Sequence, residues 1–239
     1  MERTIILTND GSHSIAIPAM NVTYHSIHGA IRESRHVFID AGLRYLIEKA
    51  NDRRINILEM GWGTGLNALL TIVETSGLQQ PIHYTAIELF PLDNAAVKQL
   101  NYCSQLQIPG CPALFQKLHE CDWEKDIAIT NLFTLHKTNT NLLGYSTNVS
   151  FNLIYYDAFA PAAQPELWTK EIFEKLYSML SPDGILVTYC SKGEVRRAMQ
   201  AAGFTVEKIP GPPGKREMIR CFAPLAMTRS ARNDALRSQ

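Results

Sequence analysis

The chain has 239 residues, 46% of them hydrophobic and 19% charged, which lies in the soluble globular range and suffices for one large core. Lys+Arg and Asp+Glu balance at 23 each, so a nucleic-acid substrate would have to be held by a local basic patch and not by net charge. No apolar run approaches the roughly 20 residues that span a bilayer, and the start, MERTIILTNDG, lacks the features of a signal peptide, so the expected location is the cytoplasm.

In chain order, TIILTNDGSHSIAI alternates apolar and polar residues on either side of Asn9-Asp10-Gly11, which predicts an N-terminal β-hairpin with a tight turn. Val37, Phe38, Ala41, Leu43, Leu46 and Ile47 then recur at a roughly helical period before Asn51-Asp52 ends the pattern. Residues 1–50 are therefore expected to form a hairpin and helical segment packed on a core domain of residues 51–224.

That core reads as strand 55–59, glycine turn, helix 65–75, strand 82–88, helix 91–106, strand 151–156, helix 165–180 and strand 184–190. Such alternation predicts an α/β fold of βαβ units on a parallel sheet. A helix at 193–202 and short strands at 204–208 and 218–222 follow. The segment 107–150 yields one candidate strand in a run rich in Asn and Thr, compatible with an insertion, and residues 225–239 read as a frayed tail. The five cysteines, Cys103, Cys111, Cys121, Cys190 and Cys221, are odd in number and form no CxxC, so they are expected to be buried or free thiols. His119 stands two residues from Cys121, but without a second spaced pair no metal site is expected.

The glycine turn carries the first chemistry. In open α/β sheets ligands bind beyond the carboxyl ends of the strands, at a glycine loop and a helix N-terminus. Gly61, Gly63 and Gly65 stand there, and Leu66 occupies the position that a dinucleotide G-x-G-x-x-G would give to glycine. The pattern G-x-G-x-G is that of S-adenosylmethionine enzymes, and an NAD(P)-dependent oxidoreductase becomes the alternative. Glu88 ends the second strand, where an acid accepts ribose hydroxyls, and Glu59 precedes the loop, placed to face a methionine amino group.

Asp157 closes a strongly apolar strand, where a carboxylate is costly unless it has a partner or a task. Asp157-Ala158-Phe159-Ala160-Pro161 resembles the Asp-Pro-Pro-Tyr type motif of amino-group methyltransferases, in which a polar residue orients the nitrogen and an aromatic ring packs on the substrate base.

Six stretches, YHSIHGAIRESRHVFI, GWGTGLN, IELFPL, YYDAFAPAAQPELWT, EVRRAMQAAGF and GKREM, run in this order over residues 20–222. Together they are similar to the methyltransferase half of the bifunctional bacterial enzymes that complete 5-methylaminomethyl-2-thiouridine at the tRNA wobble position. The resemblance implies a Rossmann-like S-adenosylmethionine-dependent methyltransferase fold with an N-terminal β-hairpin extension, acting on the 5-aminomethyl nitrogen of uridine in tRNA. In that family a separate FAD-dependent oxidase half prepares the amine. Here a standalone form is expected, with the FAD-dependent oxidase either a separate partner or absent.

The resemblance also implies roles: Asp157 as the catalytic acid of the motif, Phe159 against the substrate base, Tyr24 in a segment closing over the cofactor, and Asn67 at the end of GWGTGLN in the cofactor site. Where the family has an acid for the adenine, this chain has Thr138 and Asn139, of which Asn139 becomes the candidate contact. Lys215 and Arg216, with Arg196, Arg197 and Arg220, are the candidate phosphate contacts. A noncatalytic cofactor- or tRNA-binding module would keep the glycine loop while Asp157 stayed idle.

Overall fold

The computed structural model describes residues 2–49 and 54–223. Its centre is an eight-stranded sheet of β4 (Ile55–Met60), β5 (Ile82–Ile87), β6 (Asp126–Ala128), β7 (Phe133–Thr138), β8 (Phe151–Tyr156), β9 (Leu180–Thr188), β10 (Thr205–Pro210) and β11 (Glu217–Phe222). The spatial order is β10-β11-β9-β8-β4-β5-β7-β6. β9, β8, β4, β5 and β7 run parallel, whereas β11, β10 and β6 pair antiparallel at the edges.

The parallel strands read as nearly unbroken apolar runs because both faces are covered. In β8 the period of two sends Leu153 and Tyr155 into one cluster with Phe38, Leu69 and Tyr84. Ile154 and Tyr156 go into a second cluster with Phe173, Leu176 and Met199. The first face is covered by α1, a continuous helix made of Ala30–Ser34, a π-helical stretch Arg35–Arg44, and Tyr45–Ile47, together with α2 (Leu66–Thr75). The second is covered by α6 (Lys170–Met179) and α7 (Gly193–Ala201).

The chain leaves β4 toward β5 on one side, while β8 pairs with β4 on the other. The loops after β4 and β8 therefore diverge and open a crevice at the carboxyl ends, where such sheets bind ligands.

Several expectations need correction. The N-terminal ribbon is a three-stranded sheet, β1 (Thr4–Leu7), β2 (His13–Ile17) and β3 (Val22–Thr23). Its first turn is tight, as expected: the Gly11 amide donates to the Thr8 carbonyl at 3.0 Å and the Thr8 amide to the Ser12 carbonyl at 2.9 Å, with Gly11 at a φ of +81°. Asp10 ties that turn to the helix behind it: its carboxylate accepts from the Thr8 hydroxyl at 2.8 Å, from the Ser12 amide at 3.0 Å, from the Ser12 hydroxyl, and from the Arg32 amide at 3.0 Å in the first turn of α1.

The helix expected at 91–106 is two, α3 (Asn94–Lys98) and α4 (Tyr102–Leu106). They part at Asn101, whose side chain accepts from the His13 amide at 2.7 Å and donates to the Gly11 carbonyl at 2.8 Å. The helix expected at 165–180 begins as a 3-10 turn, Pro165–Trp168, and restarts at Thr169, whose hydroxyl caps α6. Segment 107–150 holds α5 (Cys111–Glu120), β6 and β7. Cys103 and Cys111 join α4 to α5 as a disulfide with Cα atoms 5.4 Å apart, so only Cys121, Cys190 and Cys221 are free thiols; spacing in sequence carries no record of a helix hairpin that brings two thiols together. Asn51-Asp52 and residues 225–239 lie outside the described residues.

Asp10 supplies a stability test. Burial raises its carboxyl, but bonds from Ser12, Arg32 and Thr8 hold it below its usual value of 3.8. A carboxyl depressed in the folded state contributes fully above its unfolded pKa, and the contribution disappears as pH falls through the folded value. Asp10→Ala should cost about 1–2 kcal/mol at pH 7, as for loss of a helix-capping carboxylate. The gap between variant and parent should close below about pH 4; urea unfolding at both pH values reads it.

Candidate functional site

β4 ends at Met60, and the loop that follows places Gly61, Gly63 and Gly65 at φ of +91°, +49° and +70°. All three are crowded by neighbours, Gly65 by His119 and Trp62, each 2.9 Å from where its Cβ would lie. A Cβ at Gly61 would lie 2.9 Å from the Asp157 carbonyl, and one at Gly63 would lie 3.1 Å from the Tyr24 ring. The loop is thus pressed between the turn after β8 and the N-terminal sheet.

Between these parts lies a cavity of about 890 Å³, lined by Tyr24, Gly61, Gly63, Asn67, Glu88, Asp157 and Phe159 among others. This volume suits a nucleoside-sized ligand. Seven of the residues singled out in the sequence thus line one cavity. Glu59 lies buried and is reached through Asn67, and Gly65 caps the start of α2. Asn139, Lys215 and Arg216 are not among the lining residues.

Asn67, from the first turn of α2, bridges two carboxylates. Its amide nitrogen donates to Glu59 Oε1 at 2.8 Å and to Asp157 Oδ2 at 3.0 Å. This orientation is the one that keeps its carbonyl off both acids, and it leaves Asn67 Oδ1 without a partner. Burial, first of all, pushes the Glu59 carboxyl well above the ordinary carboxylate range, with Asp157 adding to it. For Asp157, burial and then the charge of Glu33 raise the carboxyl to about 7, against the Asn67 bond and Lys215.

Glu88, just past β5, is held from both sides: Oε2 accepts the Gly63 amide at 3.0 Å and Oε1 the Phe90 amide at 2.8 Å. A carboxylate has about four lone-pair sites, so two remain for hydroxyls of a ligand. Asn139 donates to the carbonyls of Glu88 at 2.9 Å and Leu89 at 3.2 Å. It therefore shapes the Glu88 turn, and the wall on that side is made by Leu89, Asn141, Leu142 and Leu143, two residues and more beyond the sequence expectation.

The N-terminal sheet roofs the cavity. Tyr24 meets Phe159 edge to face, with ring centroids 5.3 Å apart. Arg3 pins β1 to the turn after β5 by donating to the carbonyls of Pro91 at 3.1 Å and Phe90 at 2.6 Å; a lone arginine near a chain start gives no sequence signal for this. His25 is buried, and burial lowers its imidazole to about 4, so a neutral ring faces the cavity. Gln164, also unmarked in the sequence, accepts the Phe159 amide at 3.1 Å and sets the turn.

The candidate phosphate contacts divide. Lys215 is committed to Glu33, 2.7 Å away, and lies 3.9 Å over the Tyr189 ring. Arg220 is paired with Glu207 at 2.9 Å, whereas Arg197 and Arg216 are exposed. His119 is packed between the rings of Trp62 and Phe115, 3.1 Å from the Thr64 carbonyl. Among the described residues, no three His, Cys, Asp or Glu side chains gather as a metal site, and no helix is long and apolar enough to cross a membrane.

A zwitterionic nucleoside fits these groups. Its ribose would meet Glu88, and its ammonium would meet the unpartnered Asn67 Oδ1 beside Glu59.

Residues 103–224 match the S-adenosyl-L-methionine-dependent methyltransferase family. The tRNA 5-methylaminomethyl-2-thiouridine biosynthesis bifunctional protein MnmC of Magnetococcus marinus is 31% identical over 212 residues, covering 84% of this chain and 31% of that protein. Its counterpart in Cupriavidus metallidurans is 32% identical over 235 residues, covering 92% and 34%. The chain thus spans about a third of the length of these curated relatives. Among solved structures, MnmC2 from Aquifex aeolicus shares the fold at a TM-score of 0.75 and 22% identity, over 98% of this chain and 76% of that one. Spermidine synthase from Thermotoga maritima shares it at a TM-score of 0.52 and 13% identity, over 94% and 70%.

Proposed function

Because this chain belongs to the S-adenosyl-L-methionine-dependent methyltransferase family, we propose that it methylates the 5-aminomethyl nitrogen of uridine, or 2-thiouridine, at the wobble position of tRNA. The observation that carries the reading is Asp157, a carboxylate on the floor of the cavity, tied through Asn67 to the acid before the glycine loop and followed by an aromatic at Phe159. The printed names of the curated relatives support tRNA as the substrate.

The bound cofactor supplies an electrophilic methyl group on a sulfonium. The protein's residues align a neutral amine with it, and alignment of this kind removes several kcal/mol of a barrier. Glu88 would hold the ribose and Asn67 with Glu59 the methionine end. Asp157 would accept a hydrogen bond from the amine, stabilise the positive charge that grows on the nitrogen, and receive its proton directly or through water. Phe159 would pack on the base, and Tyr24 with the N-terminal sheet would exclude water. Arg216 and Arg197 are the exposed cations best suited to phosphates. We place the reaction in the cytoplasm, with an FAD-dependent oxidase, separate or part of a longer protein, supplying the amine.

Incubation of the purified protein with S-adenosylmethionine and tRNA lacking the final methyl group, followed by mass spectrometry of the nucleosides, tests the reading. The expected product is the wobble nucleoside with one methyl added. Binding of cofactor and tRNA without transfer would point instead to the noncatalytic module.

A further inference from the structure

Three segments distant in sequence meet beside Asp157. Glu33, buried in the first turns of α1, accepts the Ser26 amide on Oε2 at 2.6 Å and Lys215 Nζ on Oε1 at 2.7 Å. Lys215 comes from the turn between β10 and β11, 182 residues away. Its ammonium lies 3.9 Å over the Tyr189 ring, and the Tyr189 hydroxyl donates at 2.8 Å to the carbonyl of Ala158, the residue after Asp157. A continuous line of contacts thus runs from α1, through Lys215 and Tyr189, to the turn that carries Asp157.

We infer that the Glu33–Lys215 pair is a positioning device for Asp157, holding the turn after β8 and setting the charge of its carboxyl. This rests on the reading that Asp157 meets the amine. It also changes the role of Lys215, expected from the sequence to contact phosphate: a lysine engaged by a buried carboxylate and a ring has little reach left for one.

Charge arithmetic gives the pair a testable signature. The groups interacting with Asp157 are Asn67 from α2, Glu59 from β4, Tyr84 from β5, Tyr189 beyond β9, Glu33 from α1 and Lys215 from the β10–β11 turn. Glu33 disfavours the ionised form of Asp157 and Lys215 favours it. Removing one member of a partly buried pair leaves the other uncompensated. Loss of Lys215 therefore exposes Asp157 to a bare negative charge, and loss of Glu33 to a bare positive one. The two single substitutions act in opposite directions on one carboxyl, which a structural role would not produce.

The experiment is the pH profile of single-turnover methyl transfer to tRNA by the full chain, with the ionisation of Asp157 read in parallel by carbon NMR of carboxyl-labelled protein. Lys215→Met should move the Asp157 break upward by about one unit and Glu33→Gln should move it downward by about as much. The double variant should return close to the parent, and Lys215→Arg, which keeps the charge, should stay there. Shifts in the same direction, or none in either variant, would overturn the inference. So would a Lys215→Met protein that titrates normally but binds tRNA more weakly with a shallower salt dependence, which would restore the phosphate role. Asp157→Asn separates the two levels of argument: if it transfers methyl groups at the parent rate, the catalytic reading fails, and the carboxyl titration still decides whether the pair sets the charge at Asp157.

Discussion

Asp157→Asn is expected to slow single-turnover methyl transfer by roughly 10²-fold or more while cofactor affinity stays nearly constant, as when a positioned electrostatic group or general base is removed. Asparagine keeps the shape and can still accept from Asn67, so what the variant loses is charge and basicity. The competing account makes Asp157 a cap for the helical turn at Pro165. The geometry speaks against it: that turn has no side-chain cap at Gln164, and Asp157 instead accepts from Asn67 at 3.0 Å.

The stability readout sharpens the contrast. Burial, with Glu33 next, raises the folded-state carboxyl of Asp157 to about 7 from 3.8. A carboxyl raised on folding favours the native state most when protonated, and that contribution is lost as pH rises from the unfolded value through about 7. The native protein thus carries an energetic cost for an ionised Asp157 at pH 8, and Asp157→Asn should melt no earlier than the parent there. A cap would behave in the opposite way, losing about 1 kcal/mol with little change in turnover. Methyl transfer and thermal melting at pH 8, measured on the same preparation, separate the two; a variant that melts early but turns over normally removes Asp157 from the chemistry.

The parts of the site visible in the sequence are those that local spacing dictates. An apolar strand, a glycine loop and a helix place Gly61, Gly63 and Asn67 together, and Glu88 joins them because it follows the carboxyl end of the next strand, which faces the same crevice. Asp157 was visible for a similar reason, as a charge at the end of an apolar run. What tertiary contacts decide was not visible. Asn101 interrupts a helical pattern because its side chain serves the N-terminal loop, with bonds to His13 and Gly11. The turn at residues 9–11 was legible, but not that Asp10 within it also serves the first turn of α1. α5 buries only Cys111, Phe115 and Leu118 and starts after Gly110 with proline in its first turn, so its apolar stripe is narrow. Arg3 and the Glu33–Lys215 pair join positions 87 to 182 residues apart, for which no periodicity exists. Asn139 shows the intermediate case. Its place near the expected adenine wall was legible, but its amide turned to the backbone of Glu88 and Leu89.

A second carboxylate gives the second large expectation: Glu88→Ala should weaken binding of S-adenosylmethionine, or of its demethylated product, by roughly 10- to 100-fold. The loss of a charge-assisted bond costs about 1.5–3 kcal/mol, and each 1.4 kcal/mol is about a factor of ten in affinity. Part of this loss would be indirect, because Glu88 also accepts the amides of Gly63 at 3.0 Å and Phe90 at 2.8 Å. Removing it frees two backbone donors that hold the glycine loop against the turn after β5. Glu88→Gln separates the contributions. Its amide oxygen can still accept one backbone N–H, whereas its amide nitrogen cannot accept a ribose hydroxyl, so a ribose contact predicts a loss close to that of alanine. If the loop alone matters, glutamine should recover most of the affinity. Calorimetry on both variants gives the answer, with NAD as the control ligand, because the side chain of Leu66 stands where a dinucleotide loop carries its third glycine. Unchanged cofactor affinity in Glu88→Ala would remove the ribose from this end of β5, and tight binding of NAD would mean that the loop itself had been misread.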